Sequence, residues 1–413
     1  SINSYERIKN LSWILQHHTD EKILIVISAM GKMTNSLEKI AEEYYEGKKE
    51  EALHLFEGVK SHHLSLIKYL FTIEWEKATK DLEIIFTQTE SILNTSPTKD
   101  YNYYYDQIVS IGELLSSSLI SNFLTEENIP NIWFDVRKVL KTDSNFRDGK
   151  VDWDLSKEKI NQEVRPLFND TNFVITQGFI SSDQDDNSTT LGREGSDFTA
   201  AIFAKLLNAE SATIWKDVDG VMSGDPREIK TAVVVENLNY KEVIEMAYYG
   251  AQVIHPKTIK PLQNENIPLY VKSFINPQLP GTAITAVKTG KLPPMIVYKR
   301  NQALITLESI DFTFVEGGPI NNLHTILDKL RLKPNLTQNT AISLLMCVDD
   351  IEEKTSELAE QAAHIFLVHI RRNLTLLTIR HYDLEIIEQL TKGKAIVLEQ
   401  RTTETVQLLI SED

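Results

Sequence analysis

The segment FVITQGF at residues 173–179, followed by TTLGREGSDFTAA at residues 189–201, decides the fold class of this chain. The first segment is an apolar run rich in β-branched residues, which is typical of a strand buried on both faces, as in a parallel sheet. The second contains two glycines and then Ser196 and Asp197, residue types preferred at the N-terminus of a helix. A buried strand that leads through a glycine loop into a helix from Phe198 predicts an α/β domain.

The same alternation of strand and helix extends on both sides of this segment. Repeated buried strands separated by helices predict a mainly parallel central sheet. Residues 36–130 contain almost no glycine or proline and predict an all-helical excursion of several helices, beginning at Ser36. The other predicted strands are 22–28, 132–136, 212–218 and 269–272, and the helices between them are 197–208 and 240–250.

Proline and glycine mark the end of this domain. The segments 276–282 and 290–294 are rich in both residues, and after them short strands alternate with amphipathic helices. This pattern predicts two small α+β units of the ferredoxin-like type. The strand-like segments are 296–307 and 341–348, the helix-like segments are 323–330 and 356–363, and the remaining apolar segments are 374–379, 386–390, 395–398 and 406–410.

The composition excludes several classes of function. At 413 residues, with 42% hydrophobic and 25% charged residues, the chain is expected to be globular with two or three domains. A net charge of -16 argues against binding to nucleic acid or to an anionic membrane, because both require clustered Lys and Arg. The single cysteine, Cys347, excludes an internal disulfide and a thiolate metal site and is predicted to be a core residue. No stretch approaches the roughly 18 apolar residues of a membrane span and no secretory signal is visible, so we expect a cytoplasmic protein.

The glycine loop at 189–201 is the strongest candidate for a binding site. Two glycines let the backbone approach a ligand, and free N–H groups at the start of the following helix suit an anion. Arg193 adds a guanidinium fork that fits a carboxylate or a phosphate. A capped turn with a solvated arginine is the alternative, but the position between a buried strand and a helix favours a binding site.

A second candidate follows the strand at 212–218. Residues 215–227 place three acidic and two basic side chains around two glycines. Ligands of open α/β sheets bind beyond the carboxyl ends of the strands, where this loop is expected. Mg-nucleotide sites use this mixture, with cations for the phosphates and carboxylates for the metal or its waters. A polar turn with an Asp-Gly corner is the alternative.

Weaker candidates lie in the turn at 28–35 and around Glu113. Backbone N–H groups and the Thr34 hydroxyl of the turn suit an anion, although a polar turn is the commoner explanation. Gly112 inside a helix costs about 1 kcal/mol relative to alanine, which indicates a close approach of another element. Glu113 would then face a cleft, and a surface glutamate is the alternative. His255 has no partner for catalysis nearby and is predicted to be a hydrogen-bonded structural histidine.

Together these motifs resemble the aspartokinase branch of the amino-acid kinase family. The Leu-Gly-Arg-x-Gly-Ser-Asp loop at 191–197, followed by Trp-x-Asp-Val-x-Gly and Asp-Pro-Arg within 215–227, is specific to this branch. The resemblance implies a three-layer αβα catalytic domain over residues 1–290 and tandem ACT regulatory units over residues 291–413. ACT units commonly pair edge to edge, which implies a homodimer. The other matching motifs are 134–137, 175–179 and 250–256.

The resemblance implies a reaction that uses ATP and Mg²⁺. The γ-phosphoryl group would pass to the β-carboxylate of L-aspartate and give 4-phospho-L-aspartate, the first step of the aspartate-derived amino-acid pathway. No protein nucleophile is required, because the substrate carboxylate attacks ATP directly. Asp197 would organise the metal and the reacting groups, and it is expected to be catalytic together with Arg193. The implied nucleotide contacts are Lys216, Asp217, Met222, Arg227, Gln252 and Val253.

The resemblance also implies the contacts of the amino-acid substrate. Arg193, Gly195 and Ser196 resemble the part of the family site that holds the aspartate carboxylates. Glu113 matches a glutamate near the substrate amino group, and Thr34 matches a hydroxyl that lines the same site.

The chain departs from the family pattern at several positions. The first strand of the family ends in Lys-Phe-Gly-Gly, and residues 1–7 resemble the segment that follows it, so we expect this motif upstream of Ser1. Glu194, Met222 and Gln252 stand where a glycine, an aromatic residue and a lysine are frequent, and these changes are expected to tune nucleotide affinity.

The regulatory part departs further. The usual effector-loop motif reads Gly-Pro-Ile-Asn at 318–321, and Leu-Lys-Pro at 332–334 replaces a motif whose aspartate would meet an effector ammonium group. The resemblance implies an amino-acid effector at the ACT-like region, but because of these departures lysine is not implied as its identity.

Two alternatives stay open. The first is a non-catalytic amino-acid-sensing partner subunit that retains the kinase fold, and the second is a kinase that uses glutamate or another carboxylate as acceptor. Trapping the acyl phosphate as its hydroxamate with each acceptor distinguishes them from aspartate phosphorylation.

Overall fold

Strands and helices alternate along the chain in the computed structural model, which describes residues 4–251, 254–310 and 318–411. The chain divides into two compact units. The first unit is Ser1–Val221, Glu236–Val243 and Ile254–Lys288, and the second is Met222–Val235, Ile244–Val253 and Thr289–Asp413. The division into a catalytic domain at 1–290 and a regulatory region at 291–413 stays a prediction.

The first unit contains a parallel sheet of three strands, β1 (Ile23–Ile27), β2 (Ile132–Trp133) and β3 (Phe173–Gln177), in the order β1-β3-β2. All five residues of β3 are buried, which confirms the prediction of a strand covered on both faces. Ile25 of β1 lies opposite Ile175 of β3 in the central register of the sheet.

The helical excursion predicted for the first unit is confirmed. Every residue of its last helix from Ile111 to Leu124 is buried, so this helix forms the centre of the core. Within the described chain, the stretch 101–126 alone is long and apolar enough to cross a membrane, although none is predicted, and 94% of its most apolar window is buried inside the fold. The helices are α1 (Tyr5–Gln16), α2 (Met33–Tyr45), α3 (Lys49–Leu70), α4 (Trp75–Leu93), α5 (Tyr101–Val109) and α6 (Ile111–Glu126).

A polar hairpin precedes the glycine loop. It consists of β4 (Ile180–Ser182) and β5 (Ser188–Thr190), which pair antiparallel with Ile180 opposite Thr190. Both strands are buried. The helix α7 (Trp153–Lys159) lies before β3, and α8 (Gly195–Leu207) follows the loop.

A second sheet of the first unit contains β6 (Ala212–Lys216), β7 (Asn237–Asn239), β8 (Leu269–Ser273) and β9 (Thr282–Thr285), in the order β6-β8-β9-β7. Its pairs are parallel except β8 with β9. The assignment of 276–282 to a linker is therefore wrong at its end, because Thr282 begins β9 and its buried hydroxyl accepts a hydrogen bond from the Val221 N–H at 2.8 Å. The helix α10 (Pro256–Asn264) belongs to this unit, whereas α9 (Tyr240–Tyr249) begins in it and continues into the second unit at Ile244.

The second unit is built on one antiparallel sheet of six strands, in which the two predicted ferredoxin-like units share their longest strands. The sheet order is β11-β12-β10-β13-β15-β14. Its strands are β10 (Met295–Ser309), β11 (Pro334–Asn339), β12 (Ser343–Asp349), β13 (Phe366–Arg380), β14 (Ala395–Arg401) and β15 (Thr405–Ser411). Its helices are α11 (Gly318–Leu330), α12 (Glu352–Ala362) and α13 (Leu384–Thr391).

Cys347 confirms its prediction as a core residue of this sheet. It is fully buried, packs with Leu304 and Leu336, and its thiol lies 3.4 Å from the Gln302 side-chain oxygen. Burial raises the pKa of the thiol to about 12. The thiolate is therefore not accessible at neutral pH.

Candidate active site

The glycine loop enters α8 through two residues in the left-handed conformation. Gly192 has φ +73° and Glu194 has φ +54°. The helix begins at Gly195, so the prediction of Ser196 and Asp197 as residues that cap it is wrong: Glu194 takes the N-cap position, and both residues lie in the first turn. The first N–H groups of a helix lack intrahelical partners, so this turn can bind an anion.

Close packing on the end of β3 explains two glycines at the loop. A Cβ atom on Gly195 would lie 2.7 Å from the Phe179 ring and 3.0 Å from its Cα, and a Cβ atom on Gly178 would lie 2.6 Å from the Ser196 Oγ atom. Neither position has room for a side chain. The loop is therefore held against the carboxyl end of the strand, where ligands of such sheets bind.

A salt bridge joins the glycine loop to the end of β6. The Lys216 Nζ atom lies 3.0 Å from the Asp197 Oδ2 atom, and both side chains are largely buried. Burial raises the pKa of Asp197 above its ordinary value, while the ammonium group of Lys216 opposes that shift. The pair places a cation of the predicted motif 215–227 beside a carboxylate of the predicted motif 189–201.

Glu113 is a buried carboxylate rather than a surface residue. Its side chain is 3% exposed, and its Oε1 atom accepts a hydrogen bond from the Ala29 N–H at 3.2 Å. Its Oε2 atom is buried and has no hydrogen-bond partner among the described residues. Burial raises the pKa of Glu113 to about 8. A Cβ atom on Gly112 would lie 3.0 Å from both Ala29 and Leu37 side chains, which confirms the predicted close approach.

Thr34 lies close in sequence to the turn that Glu113 contacts. The helix α2 begins at Met33 rather than at Ser36, so Thr34 belongs to its first turn and is half-buried. Lys32 takes the N-cap position, without a capping side-chain hydrogen bond. The hydroxyl group of Thr34 therefore sits at a helix N-terminus and not in a loop.

Two predicted site residues in the first unit are exposed. Arg193 makes no hydrogen bond or ion pair with any residue in the described part of the chain, and its side chain is accessible to a ligand. Asp217 follows Lys216 directly after β6 and is also exposed.

His255 is confirmed as a structural residue. Its side chain caps α10, because its Nδ1 atom accepts a hydrogen bond from the Lys257 N–H at 3.1 Å. Its backbone N–H donates a hydrogen bond to the Glu194 Oε2 atom at 2.9 Å. Glu194, which departs from the family pattern, therefore links the glycine loop to α10.

The remaining predicted nucleotide contacts lie elsewhere in the chain. Met222 and Arg227 belong to the second unit, where Met222 forms a bridge with Val234. The Arg227 side chain is 85% exposed and holds Asp225, with its Nη2 atom 2.6 Å from the carboxylate. Gln252 and Val253 lie outside the described residues.

Asp106 is a buried acidic residue that the sequence motifs do not identify. It is fully buried on α5, and burial raises the pKa of its carboxyl group to about 6 although three donated hydrogen bonds oppose the shift. Its position seven residues before Glu113, which corresponds to two turns of the helical pattern, is the signal that could have drawn attention to it.

The sequence pattern of the amino acid kinase family matches residues 1–273. The chain belongs to the amino acid kinase family. Lysine-sensitive aspartokinase 3 of Escherichia coli (strain K12) is 34% identical over 330 residues, which cover 79% of this chain and 71% of that protein. Aspartokinase 1, chloroplastic, of Arabidopsis thaliana is 28% identical over 96% of this chain and 68% of its own length. The bifunctional aspartokinase/homoserine dehydrogenase 1 of Zea mays is 31% identical, and the chain spans 34% of its length.

Solved structures of this family match the whole chain. E. coli aspartokinase III in complex with lysine and aspartate superposes with a TM-score of 0.83 at 25% identity, and its complex with aspartate and ADP with a TM-score of 0.77 at 26% identity. Each covers 100% of this chain and 94% of that chain. Among amino acid kinases, the chain is therefore placed with the aspartokinases, and its C-terminal sheet is of the regulatory ACT type.

The acidic side chains that the structure describes do not form a metal cage. Among the described residues, no group of three or more His, Cys, Asp or Glu side chains could hold a metal ion. Mg²⁺ commonly binds through one or two carboxylates together with substrate phosphates. The largely buried Asp197 carboxylate beside Lys216 fits that mode.

Proposed function

We propose that this chain transfers the γ-phosphoryl group of ATP to the β-carboxylate of L-aspartate and forms 4-phospho-L-aspartate. The salt bridge between Asp197 and Lys216 carries the proposal, because it joins the anion-binding turn at α8 to the loop after β6. Phosphoryl transfer needs these two functions side by side: a cradle for the acceptor and countercharge for the phosphates. The relatives named aspartokinase, and the related structure with aspartate and ADP, support this substrate pair.

The substrate is held from two ends in this proposal. Arg193, Ser196 and the N–H groups from Gly195 bind the carboxylates of aspartate at the start of α8. Glu113 binds the ammonium group, whose charge would balance the buried carboxylate, and Thr34 lines the same end. A ligand that carries both charges therefore matches a site with an exposed arginine and a buried glutamate.

The nucleotide is held by the loop after β6 in this proposal. Lys216 and Asp217 contact it, and Asp197 is the carboxylate that would share Mg²⁺ with the phosphates. Bound Mg²⁺ would neutralise charge on the phosphates. The further proposed contacts are Met222, Arg227, Gln252 and Val253.

The chain supplies position and countercharge rather than a covalent intermediate. An oxygen of the substrate β-carboxylate attacks the γ-phosphorus, a new O–P bond forms, and the bond to the β-phosphate oxygen breaks as ADP leaves. Arg193 holds the attacking carboxylate, and Asp197 keeps Lys216 oriented toward the phosphates.

We also propose the organisation of the whole protein. Residues 1–290 form the catalytic domain, and residues 291–413 form two ACT-like units that bind an amino-acid effector and pair in a homodimer. We propose that the protein is cytoplasmic. We also propose that it binds neither nucleic acid nor membranes, in agreement with its acidic composition.

Hydroxamate trapping tests the proposed reaction. With saturating Mg-ATP, the complete protein is expected to form aspartyl hydroxamate and to prefer aspartate over glutamate. Arg193→Ala is expected to lower kcat/KM for aspartate by about 100-fold while leaving thermal stability unchanged, because the side chain has no partner in the described residues.

Arg165 provides a control, because it is also an exposed arginine of the first unit but is not a proposed site residue. Arg165→Ala should leave kcat/KM unchanged. No hydroxamate with any acceptor, together with retained amino-acid binding, would instead favour the non-catalytic sensing subunit. Equal use of glutamate would contradict the assignment of aspartate.

A further inference from the structure

Asp106 accepts hydrogen bonds from two segments that surround the glycine loop. Its Oδ2 atom accepts from the Thr190 N–H and from the Arg147 N–H, both at 2.9 Å, and its Oδ1 atom accepts from the Thr190 hydroxyl at 2.7 Å. Asp106 and Thr190 are both fully buried. A buried carboxylate with several donated hydrogen bonds holds its partners firmly, because each partner would otherwise lose a hydrogen bond away from water.

The partners of Asp106 lead directly into the site. Thr190 is the last residue of β5, and Gly192 follows it by two positions. The turn that contains Arg147 packs on the glycine loop, because the Gly149 N–H donates to the Thr190 oxygen at 2.9 Å and a Cβ atom on Gly192 would lie 3.0 Å from the Asp148 carboxylate. The carboxylate of Asp106 therefore anchors both the end of β5, which leads into the glycine loop, and the turn that packs on this loop.

Asp106 on α5 and Glu113 on α6 belong to two consecutive helices that meet at Ser110. Ser110 between α5 and α6 keeps helical dihedral angles, with φ -57° and ψ -19°. Residues seven apart on a helix lie on the same face, two turns from each other. Asp106 thus connects the element of the proposed ammonium contact, Glu113, with the loop of the proposed carboxylate contact, Arg193.

We infer that Asp106 is a positioning residue that fixes the separation between Glu113 and the glycine loop, and thereby selects aspartate by length. This inference rests on the proposed function. Aspartate and glutamate carry the same charged groups and differ by one methylene group, so a site distinguishes them by the distance between its two ends. A loop that is tied to the helix of Glu113 keeps that distance constant.

Three variants and a matched control test this role. Asp106→Asn keeps the volume but removes the negative charge and replaces one accepting oxygen with an NH2 donor. Thr190→Val removes only the hydroxyl bond, and Thr190→Ser restores it. Asp183→Asn is the control, because Asp183 is also a buried aspartate. Its carboxylate accepts a hydrogen bond from the Asn187 N–H, in the turn between β4 and β5 at the end of the hairpin opposite to Thr190.

Calorimetric titration measures the Kd of each variant for aspartate, for glutamate and for a non-hydrolysable ATP analogue. Thermal melts give the Tm of the same variants. Asp106→Asn is expected to raise the Kd for aspartate about tenfold or more, corresponding to about 1.4 kcal/mol, and to narrow the preference over glutamate. Thr190→Val should show a smaller rise of the same kind, and Thr190→Ser should bind like the wild type. The Kd for the nucleotide should stay within about twofold, and Asp183→Asn should lower only Tm.

The inference is overturned if aspartate and nucleotide affinities fall together, if Tm alone falls in Asp106→Asn and Thr190→Val, or if Asp183→Asn weakens aspartate binding equally. A wild-type protein that binds no aspartate overturns the proposed function itself, and with it this role. If Asp106→Asn does not fold, the Thr190 pair decides by the same criteria.

Discussion

A negative charge on Glu113 is costly in the free protein, but the proposed complex with the ammonium group of aspartate needs it. One of its oxygens accepts a hydrogen bond from Ala29, and burial raises its pKa to about 8. The folded state therefore binds a proton at Glu113 that the unfolded state releases above pH 4.5. The stability from this group is fully present below pH 4.5 and is lost as the pH rises through about 8. Such a trade of stability for binding is common at functional sites.

Glu113→Gln is expected to remove this loss. The variant should have a Tm at pH 8 to 9 that is a few degrees above that of the wild type, and the difference should disappear near pH 4.5. Its KM for aspartate should rise about tenfold or more, because the neutral amide cannot balance an ammonium group. Thermal melts across this pH range and aspartate kinetics check both effects.

Glu126 on the same helix is a control of opposite sign. Burial opposes the shift, but hydrogen bonds from the Thr72 hydroxyl and from the backbone N–H groups of Glu74 and Thr72 lower its pKa to about 2. Glu126→Gln should therefore lower Tm at pH 8 and leave KM for aspartate unchanged. A lower Tm for Glu113→Gln at pH 8 would contradict the buried-charge interpretation.

Single residues of the site differ in how far the sequence predicts them. The glycine loop could be predicted, because Gly195 and its neighbours are chemically distinctive at close spacing. The contact between Asp197 and Lys216 could not, since it joins residues that are far apart in the chain and depends on how β6 lies beside α8. Asp106 was missed because its partners, Thr190 and Arg147, are ordinary residues, and two of the three contacts come from their backbone N–H groups while the third comes from the Thr190 hydroxyl.

At the scale of elements, apolar periodicity predicts the strands and helices that pack into the hydrophobic core. It does not predict the elements that are held by polar contacts. The strand β3 and the helices α2 to α6 follow from it. The hairpin of β4 and β5 does not, because it is polar: the hydroxyl groups of Thr142 and Thr189 lie 2.7 Å apart, and Arg137 donates to the Ser188 hydroxyl at 3.1 Å. The helix α10 was missed because Pro261 lies inside it.

The helix α3 contains a buried histidine that predicts a loss of stability in acid. His63 is fully buried, its Nδ1 atom lies 2.8 Å from the Val59 oxygen, and its Nε2 atom has no partner among the described residues. Burial lowers the pKa of His63 to about 4. The unfolded state therefore binds more protons between pH 6.5 and 4, and stability present above pH 6.5 is lost as the pH falls through that range.

His63→Leu is expected to flatten this loss, by roughly 3 kcal/mol at most for a group whose pKa differs by about 2.5 units between states. Urea unfolding at pH 7 and at pH 4.5 measures the difference. His62→Leu is the matched control, because its side chain is exposed and the acid dependence should stay that of the wild type. An unchanged acid dependence in His63→Leu would show that His63 is not the responsible group.

At the scale of the whole molecule, two units with separate cores give the chain two reporters. All five tryptophans, at positions 13, 75, 133, 153 and 215, lie in the first unit, whereas the single cysteine, Cys347, lies buried in the six-stranded sheet of the second. Tryptophan fluorescence therefore follows the first unit, and the labelling of Cys347 follows the second.

Ligand binding is expected to separate the two unfolding transitions. Aspartate alone, whose proposed contacts all lie in the first unit, should move the fluorescence transition to higher denaturant, because a ligand at 100 times its Kd stabilises its binding unit by about 2.7 kcal/mol. Labelling of Cys347 by a thiol reagent should begin at a denaturant concentration that aspartate does not change, since its thiol becomes accessible only when the sheet opens. Inorganic phosphate at equal ionic strength controls for non-specific salt effects. A labelling transition that moves together with fluorescence would show that the two units unfold as one cooperative structure, and would contradict separate cores.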